Sequence, residues 1–188
     1  MGRLERGLVQ VYTGPGKGKT TAALGLAMRA VGHGLRVCFI QFLKGDWDLG
    51  ERKAAARLSP ELEVHAFATP QWGDRGAAEE GTPWWQLPPS EEDRRAAQEG
   101  MVFARRALTG GEYDIVVLDE VLTAVKLNLI PVEEVMGLIC AKPDGVELVL
   151  TGREAPDEII GAADLVTEMQ EVKHPYRRGV KARKGIEY

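Results

Sequence analysis

Cysteine is scarce in this 188-residue chain: Cys38 lies in an apolar run and Cys140 beside Ile139. Two thiols so placed have neither the number nor the spacing of a disulfide scaffold or a structural zinc site, and a reducing cytoplasm is the expected compartment. Long apolar runs are missing too. No stretch approaches the ~20 residues that cross a bilayer, and the opening Met-Gly-Arg-Leu-Glu-Arg-Gly lacks the apolar core of a secretory signal. Nor is there a large excess of one charge. Twenty-four Lys and Arg against 28 Asp and Glu leave a net charge of −4, which argues against bulk attraction to nucleic acid or an anionic membrane. An anionic ligand must be held locally. No internal repeat or low-complexity segment is present.

What the chain does have is enough apolar material, 44% of residues, to bury roughly 70% of its unfolded surface, as chains of this length do. At ~150 residues per domain, one domain over residues 1–188 is expected. Short apolar runs alternate with longer helical patterns, and the runs are continuous, as in strands covered on both faces. The expected class is α/β, a three-layer domain with a mainly parallel sheet and ligands at its carboxyl edge. Candidate strands are Leu8 to Thr13, Leu35 to Phe42, Leu62 to Phe67, Asp114 to Asp119, Val146 to Thr151 and Leu165 to Thr167. A helix is expected from Lys19 to Val31, with Gly32 at its C′ position. Ser90 and Asp93 have capping-box spacing at the start of a second, and Pro131 sits at the first turn of a third that runs to about Ala141. Between them, residues 68–89 hold three of the four tryptophans with many Pro and Gly, which reads as a long loop, of a length that in compact domains is usually functional or disordered.

The first strand leads through Tyr12-Thr13-Gly14-Pro15-Gly16-Lys17-Gly18-Lys19-Thr20-Thr21 directly into the first helix. Glycines let backbone N–H groups turn inward as an anion nest, the helix start adds about half a positive charge, and Lys19 brings an ammonium to phosphate oxygens. Thr20 is placed to offer its hydroxyl to Mg²⁺. The usual G-x-x-x-x-G-K-[ST] pattern is shifted here, since Thr13 stands where its first glycine belongs and Gly14 follows one place late. The matching acid is expected at the end of Asp114-Ile115-Val116-Val117-Leu118-Asp119-Glu120, where four apolar residues are followed by two carboxylates.

Further runs follow the glycine-rich loop, Gly14 to Thr21, in order: Gln41 to Trp47 with Gly50-Glu51-Arg52, Leu118-Asp119-Glu120, Thr151-Gly152-Arg153, Ala163 to Met169, Lys173-His174-Pro175, and Gly179 to Ala182 with Gly185 to Tyr188. Together they resemble the ATP:corrinoid adenosyltransferase family of cobalamin synthesis and salvage, and the resemblance spans nearly the whole chain. It implies a P-loop NTPase-like (RecA-like) domain that acts as a cob(I)alamin or cob(I)yrinic acid a,c-diamide adenosyltransferase. A cobalt(I) corrinoid attacks the 5′ carbon of ATP, and triphosphate departs. It implies further that Gly14, Pro15, Gly16, Lys17, Gly18, Lys19, Thr20 and Thr21 bind ATP, that Lys19, Thr20 and Glu120 are catalytic, and that Thr20, Glu120 and Asp119 hold Mg²⁺ or Mn²⁺. Family members bind ATP the opposite way round from most proteins with this loop, which offers a reason for the displaced glycine. They also press an aromatic group on the lower corrin face, a role that falls to Trp84 or Trp85, with Trp72 as an alternative. A homodimer and a flavoprotein reductant are implied as partners.

Some assignments stay open. An ordinary phosphotransferase or ATPase explains Lys19, Thr20 and Glu120 equally well but not the later runs, and a non-catalytic nucleotide or corrinoid carrier is the third reading. The basic carboxyl end is a candidate to cover the site, although a cluster of Lys and Arg is ordinarily a solvated surface. Arg153 reaches either a ligand or a neighbouring acid. His174, with no second ligand at metal spacing, reads as packed or surface. Lys44 and Glu51 follow the second strand at the ligand-binding end, with roles unassigned.

Overall fold

Strands that are apolar at every position need cover on both faces, and the chain folds to provide it. In a computed structural model, which describes residues 4–45, 48–69, 72 and 88–187, six parallel strands form one sheet in the order β3-β2-β4-β5-β1-β6. They are β1 Val9–Thr13, β2 Val37–Phe42, β3 Leu62–Phe67, β4 Ile115–Asp119, β5 Glu147–Thr151 and β6 Leu165–Glu168. The helices are α1 Lys19–Gly32, α2 Gly50–Ala55, α3 Glu91–Thr109, α4 Val121–Lys126, α5 Val132–Ala141 and α6 Asp157–Ala162.

Side-chain alternation divides each strand between two cores. Cys38, Ile40, Phe42, Val116, Leu118, Leu148 and Leu150 point to the face packed by α3 to α6. Val37, Phe39, Ile115, Val117 and Val149 point to the face packed by α1 and α2. The result is three layers. Each buried Ile, Leu or Phe stabilises this arrangement by about 1.5–3 kcal/mol relative to an exposed one. The register sets Tyr12 of β1 opposite Thr151 of β5, and Gln41 of β2 opposite Asp119 of β4. Four strands therefore release their polar ends along one edge.

Three expectations need correction. Gly32 is the last residue of α1 rather than its C′ residue; Gly34, at φ 73°, turns the chain. Its N–H donates to the Val31 carbonyl while Leu35 N–H donates to the Ala30 carbonyl, the paired bonds of a Schellman stop, and the left-handed residue comes two positions later than the apolar pattern suggests. Pro131 precedes α5 as its N-cap instead of sitting inside it. Finally β6, an edge strand, is exposed along its whole length, so continuous apolar character there does not mean double cover. The helices α2, α4 and α6 have six residues each, too few to show a helical period.

The cap of α3 behaves as its sequence indicates. Ser90 Oγ accepts from Asp93 N–H at 3.2 Å while the Asp93 carboxylate accepts from Ser90 N–H at 2.8 Å. Ser90→Ala is expected to lower stability by about 1 kcal/mol, the usual cost of a lost N-cap, read as a lower urea midpoint with an unchanged slope.

Candidate active site

The loop between β1 and α1 owes its shape to a close neighbour. Gly14 and Gly18 take φ values of 97° and 122°, which side-chain-bearing residues rarely adopt. A Cβ on Gly14 or on Gly16 would lie 2.6 Å from the Met169 carbonyl oxygen. Met169 extends the β6 pairing, donating its N–H to the Thr13 carbonyl at 2.8 Å, and its own carbonyl accepts from Gly16 N–H at 2.7 Å. The Gly16 amide is thus committed within the protein and supplies loop shape, where the sequence suggested an inward-facing donor. Thr13, in place of the usual first glycine, is still part of β1, and its hydroxyl accepts from Ala155 N–H.

Lys19 opens α1 and is almost wholly buried at 6% exposure. Its ammonium donates to the carbonyls of Gly14 at 2.8 Å and Gly16 at 2.7 Å. Burial holds it below the usual lysine range, opposed by the charges of Glu120 and Asp119 and aided by that of Arg153.

One turn of helix places Thr20 against the end of β4. The Thr20 hydroxyl donates to Asp119 Oδ1 at 2.9 Å, and the Thr151 hydroxyl, from the end of β5, donates to the same oxygen at 2.7 Å. Asp119 is fully buried, and its other oxygen, Oδ2, meets no aligned hydrogen-bond donor among the described residues, although the Lys44 ammonium stands 2.7 Å from it. Glu120 follows at φ 63°, with its N–H donating to Thr151 Oγ1 and its carboxylate accepting from the Thr123 hydroxyl at 2.5 Å. The two adjacent acids therefore have different settings. Asp119 touches Thr20, and Glu120 faces the cavity on Thr123.

That cavity, about 520 Å³, is lined by Gly16, Lys17, Gly18, Lys19, Thr20, Thr21 and Glu120, and across from them by Lys44, Glu51, Arg153 and His174. Its volume lies in the range of small-molecule sites. Gly14 lies behind the wall and Pro15 on the outer bend, exposed. Trp84 and Trp85 lie outside the described residues. Trp72 is 3% exposed and packed in the larger core, the ordinary fate of a large ring.

Sequence reasoning gave no role to Gln41, Arg52 or Thr151, and it offered the basic carboxyl end as a candidate cover without naming its contacts. Gly185, Ile186 and Glu187 line the cavity, Lys17 pairs with Glu187 at 3.0 Å, and Lys184 pairs with Asp48 at 3.0 Å. The basic end is an exposed surface and also a rim of the site; the pairing of Lys17 with an acid far along the chain left no local signal.

A family model described as ATP:corrinoid adenosyltransferase BtuR/CobO/CobP matches residues 5–188. The chain belongs to this family. As a member it is an enzyme that adenosylates a corrinoid with ATP. Its relatives include the corrinoid adenosyltransferase of Escherichia coli (strain K12), 39% identical over 184 residues, 98% of this chain and 87% of that protein. Corrinoid adenosyltransferase CobA of Salmonella typhimurium shows the same identity and coverage. The Pseudomonas aeruginosa corrinoid adenosyltransferase is 36% identical over 186 residues, 99% of this chain and 86% of that one. Among solved structures, the KaiC-like protein PH0186 from Pyrococcus horikoshii OT3 superposes with a TM-score of 0.53 over 90% of this chain and 76% of its own, at 16% identity. That likeness concerns the fold alone, and it agrees with the expected P-loop class. No helix of the described residues is long and apolar enough to cross a membrane.

The rim has a testable electrostatic signature. Hydrogen bonds from Arg183, then from Lys17, pull the Glu187 carboxyl down to about 2. A depressed acid contributes its docking at pH above its ordinary range and loses it as pH falls through the folded value. Carbon-detected NMR titration of Glu187 is expected to show a midpoint near 2. Arg183→Met should move it up toward ordinary glutamate, and Lys17→Met should move it less.

Proposed function

We propose that the cavity holds ATP with its triphosphate in the cradle of Gly16 to Thr21, and that Lys19 neutralises charge on that triphosphate as it departs from the 5′ carbon toward which a cobalt(I) corrinoid is directed. The observation that carries this reading is the buried junction of Thr20 with Asp119 at the foot of a glycine-rich turn, beside a lysine shielded from water. The reaction asks for little proton transfer. Its demand is for orientation of two substrates and for fixed positive charge near the leaving group, and preset donors in a dry site meet that demand without reorganising.

The donor set suits a hard divalent cation, Mg²⁺ or Mn²⁺. Asp119 Oδ2 is a buried carboxylate oxygen without an aligned donor, next to the Thr20 hydroxyl, with Glu120 on the adjoining wall. No cluster of three His, Cys, Asp or Glu able to hold a metal exists among the described residues, which fits a cation shared with substrate phosphates, the usual habit of Mg²⁺. Thr20 and Asp119 would hold it, with Glu120 completing the set. When bound, such a cation offsets negative charge on phosphate oxygens.

Around this centre, Arg153 serves the phosphates or the corrinoid, and Trp84 or Trp85 serves the lower corrin face. A homodimer is supported by Leu165 and Val166, apolar residues of the β6 edge that are 42% and 41% exposed. A flavoprotein reductant and a cytoplasmic setting complete the proposal, the latter in keeping with two free cysteines.

Anaerobic incubation with ATP, Mg²⁺ and chemically reduced corrinoid is expected to yield a light-sensitive alkylcobalt spectrum together with inorganic triphosphate. Orthophosphate without alkylation would contradict the reading. Lys19→Ala should lower kcat/KM by about 100-fold or more, the scale of losing one preset donor to developing charge.

A further inference from the structure

At the end of β2 the backbone turns through Leu43, at φ 60°, and delivers Lys44 to the cavity wall. Its position is built rather than incidental. The Arg52 guanidinium donates to the carbonyls of Lys44 at 2.8 Å and Gly45 at 2.9 Å, and to the Gln41 side-chain oxygen at 2.9 Å. Gln41, fully buried, donates in turn to Glu51 Oε1 at 3.1 Å. Backbone and counter-ion of Lys44 are thus secured by the same pair of side chains.

The Lys44 side chain is only 15% exposed, and its ammonium stands among three oxygens: Asp119 Oδ2 at 2.7 Å, Thr20 Oγ1 at 3.4 Å and Glu51 Oε1 at 3.6 Å. One hydroxyl and two carboxylates are the donors that a hard cation uses. A divalent ion at its usual 2.0–2.1 Å from Asp119 and an ammonium against the same oxygen repel each other strongly at that separation. Both cannot occupy the place. A lysine, unlike an arginine, carries a compact charge on a four-carbon stem that turns readily, and the side chain already borders the space assigned to the triphosphate.

We propose that Lys44 is a second triphosphate-binding cation: its ammonium neutralises Asp119 while the site is empty of substrate, and turns to the triphosphate when a divalent cation takes Thr20 and Asp119. The inference rests on the reading that the cradle holds triphosphate. It assigns two duties to one charge, so its removal acts in opposite directions on two ligands. Removal of a lysine that serves only to offset the burial of Asp119 would tighten the cation and leave triphosphate binding unchanged.

The test uses Lys44→Met with two probes, Mn²⁺ alone read by electron paramagnetic resonance and inorganic triphosphate with Mg²⁺ read by calorimetry. Expected are about tenfold tighter Mn²⁺, because no ammonium must be displaced, and about tenfold or more weaker triphosphate, as loss of a charge-assisted contact entails. Unchanged or weaker Mn²⁺ binding, or unchanged triphosphate binding, overturns the proposal. Lys44→Gln, which keeps a donor toward Asp119, gives the same two readings if Lys44→Met fails to fold. Lys19→Ala separates the two levels of inference. Triphosphate binding that survives Lys19→Ala sinks the cradle reading, whereas loss on Lys19→Ala with none on the Lys44 variants sinks only the role of Lys44.

Discussion

A carboxylate buried at the end of β4 ties the structure together. Asp119 has no exposure to water, and a charge taken out of water costs several kcal/mol unless partners replace the solvent. The partners come from three other places in the chain: Thr20 on α1, Thr151 on β5 and Lys44 beyond β2. Satisfying one acid therefore brings the start of a helix, the tip of a neighbouring strand and a loop from the other side to a common point. The parallel register makes this feasible, because it ends β1, β2, β4 and β5 on the same edge. Packing of the two cores sets that register, and the polar junction follows from it.

The floor and the rim of the cavity differ in firmness, and the difference suits their tasks. Leu43 and Glu120 both take left-handed conformations straight after their strands, at a cost of roughly 1–2 kcal/mol each. They persist because neighbours over-determine them: Arg52 holds the turn after β2, and Thr151 and Thr123 hold Glu120 from its two ends. Gly152, at φ 146°, lets the chain pass Leu122 and Thr123 closely enough for those hydroxyl contacts. The tail, by contrast, is held by exposed pairs such as Lys184 with Asp48, and contacts of that kind are worth about 0–1 kcal/mol. In the proposed function, a firmly held floor suits the orientation of phosphates and a lightly held edge suits their entry.

Much of this was legible from local pattern. The strand boundaries matched within two residues because the apolar runs are short and sharply ended, and the capping box at Ser90 and Asp93 is a local motif with a local cause. The glycine-rich turn drew attention to the cavity wall through residues that lie side by side in the chain. What local pattern could not convey were contacts between distant segments. Met169 explains Gly14 and Gly16 from across the sheet, Glu187 meets Lys17 from the far end, and Lys44 gains its meaning only beside Asp119. Exposure of β6 belongs to the same class, since an edge position is a property of strand order and not of the strand.

The amino-acid sequence by itself determined the fold class and the family and pointed to the cradle as the proposed phosphate site, because periodicity, turn residues and contiguous motifs act over a few neighbours. The tertiary structure decided which of the two adjacent acids meets Thr20, why the glycines must be glycines, and where the lysine after β2 points. Those are outcomes of strand order and register, which bring together groups a hundred residues apart, and Coulomb and hydrogen-bond forces between them act only once packing has set the distance.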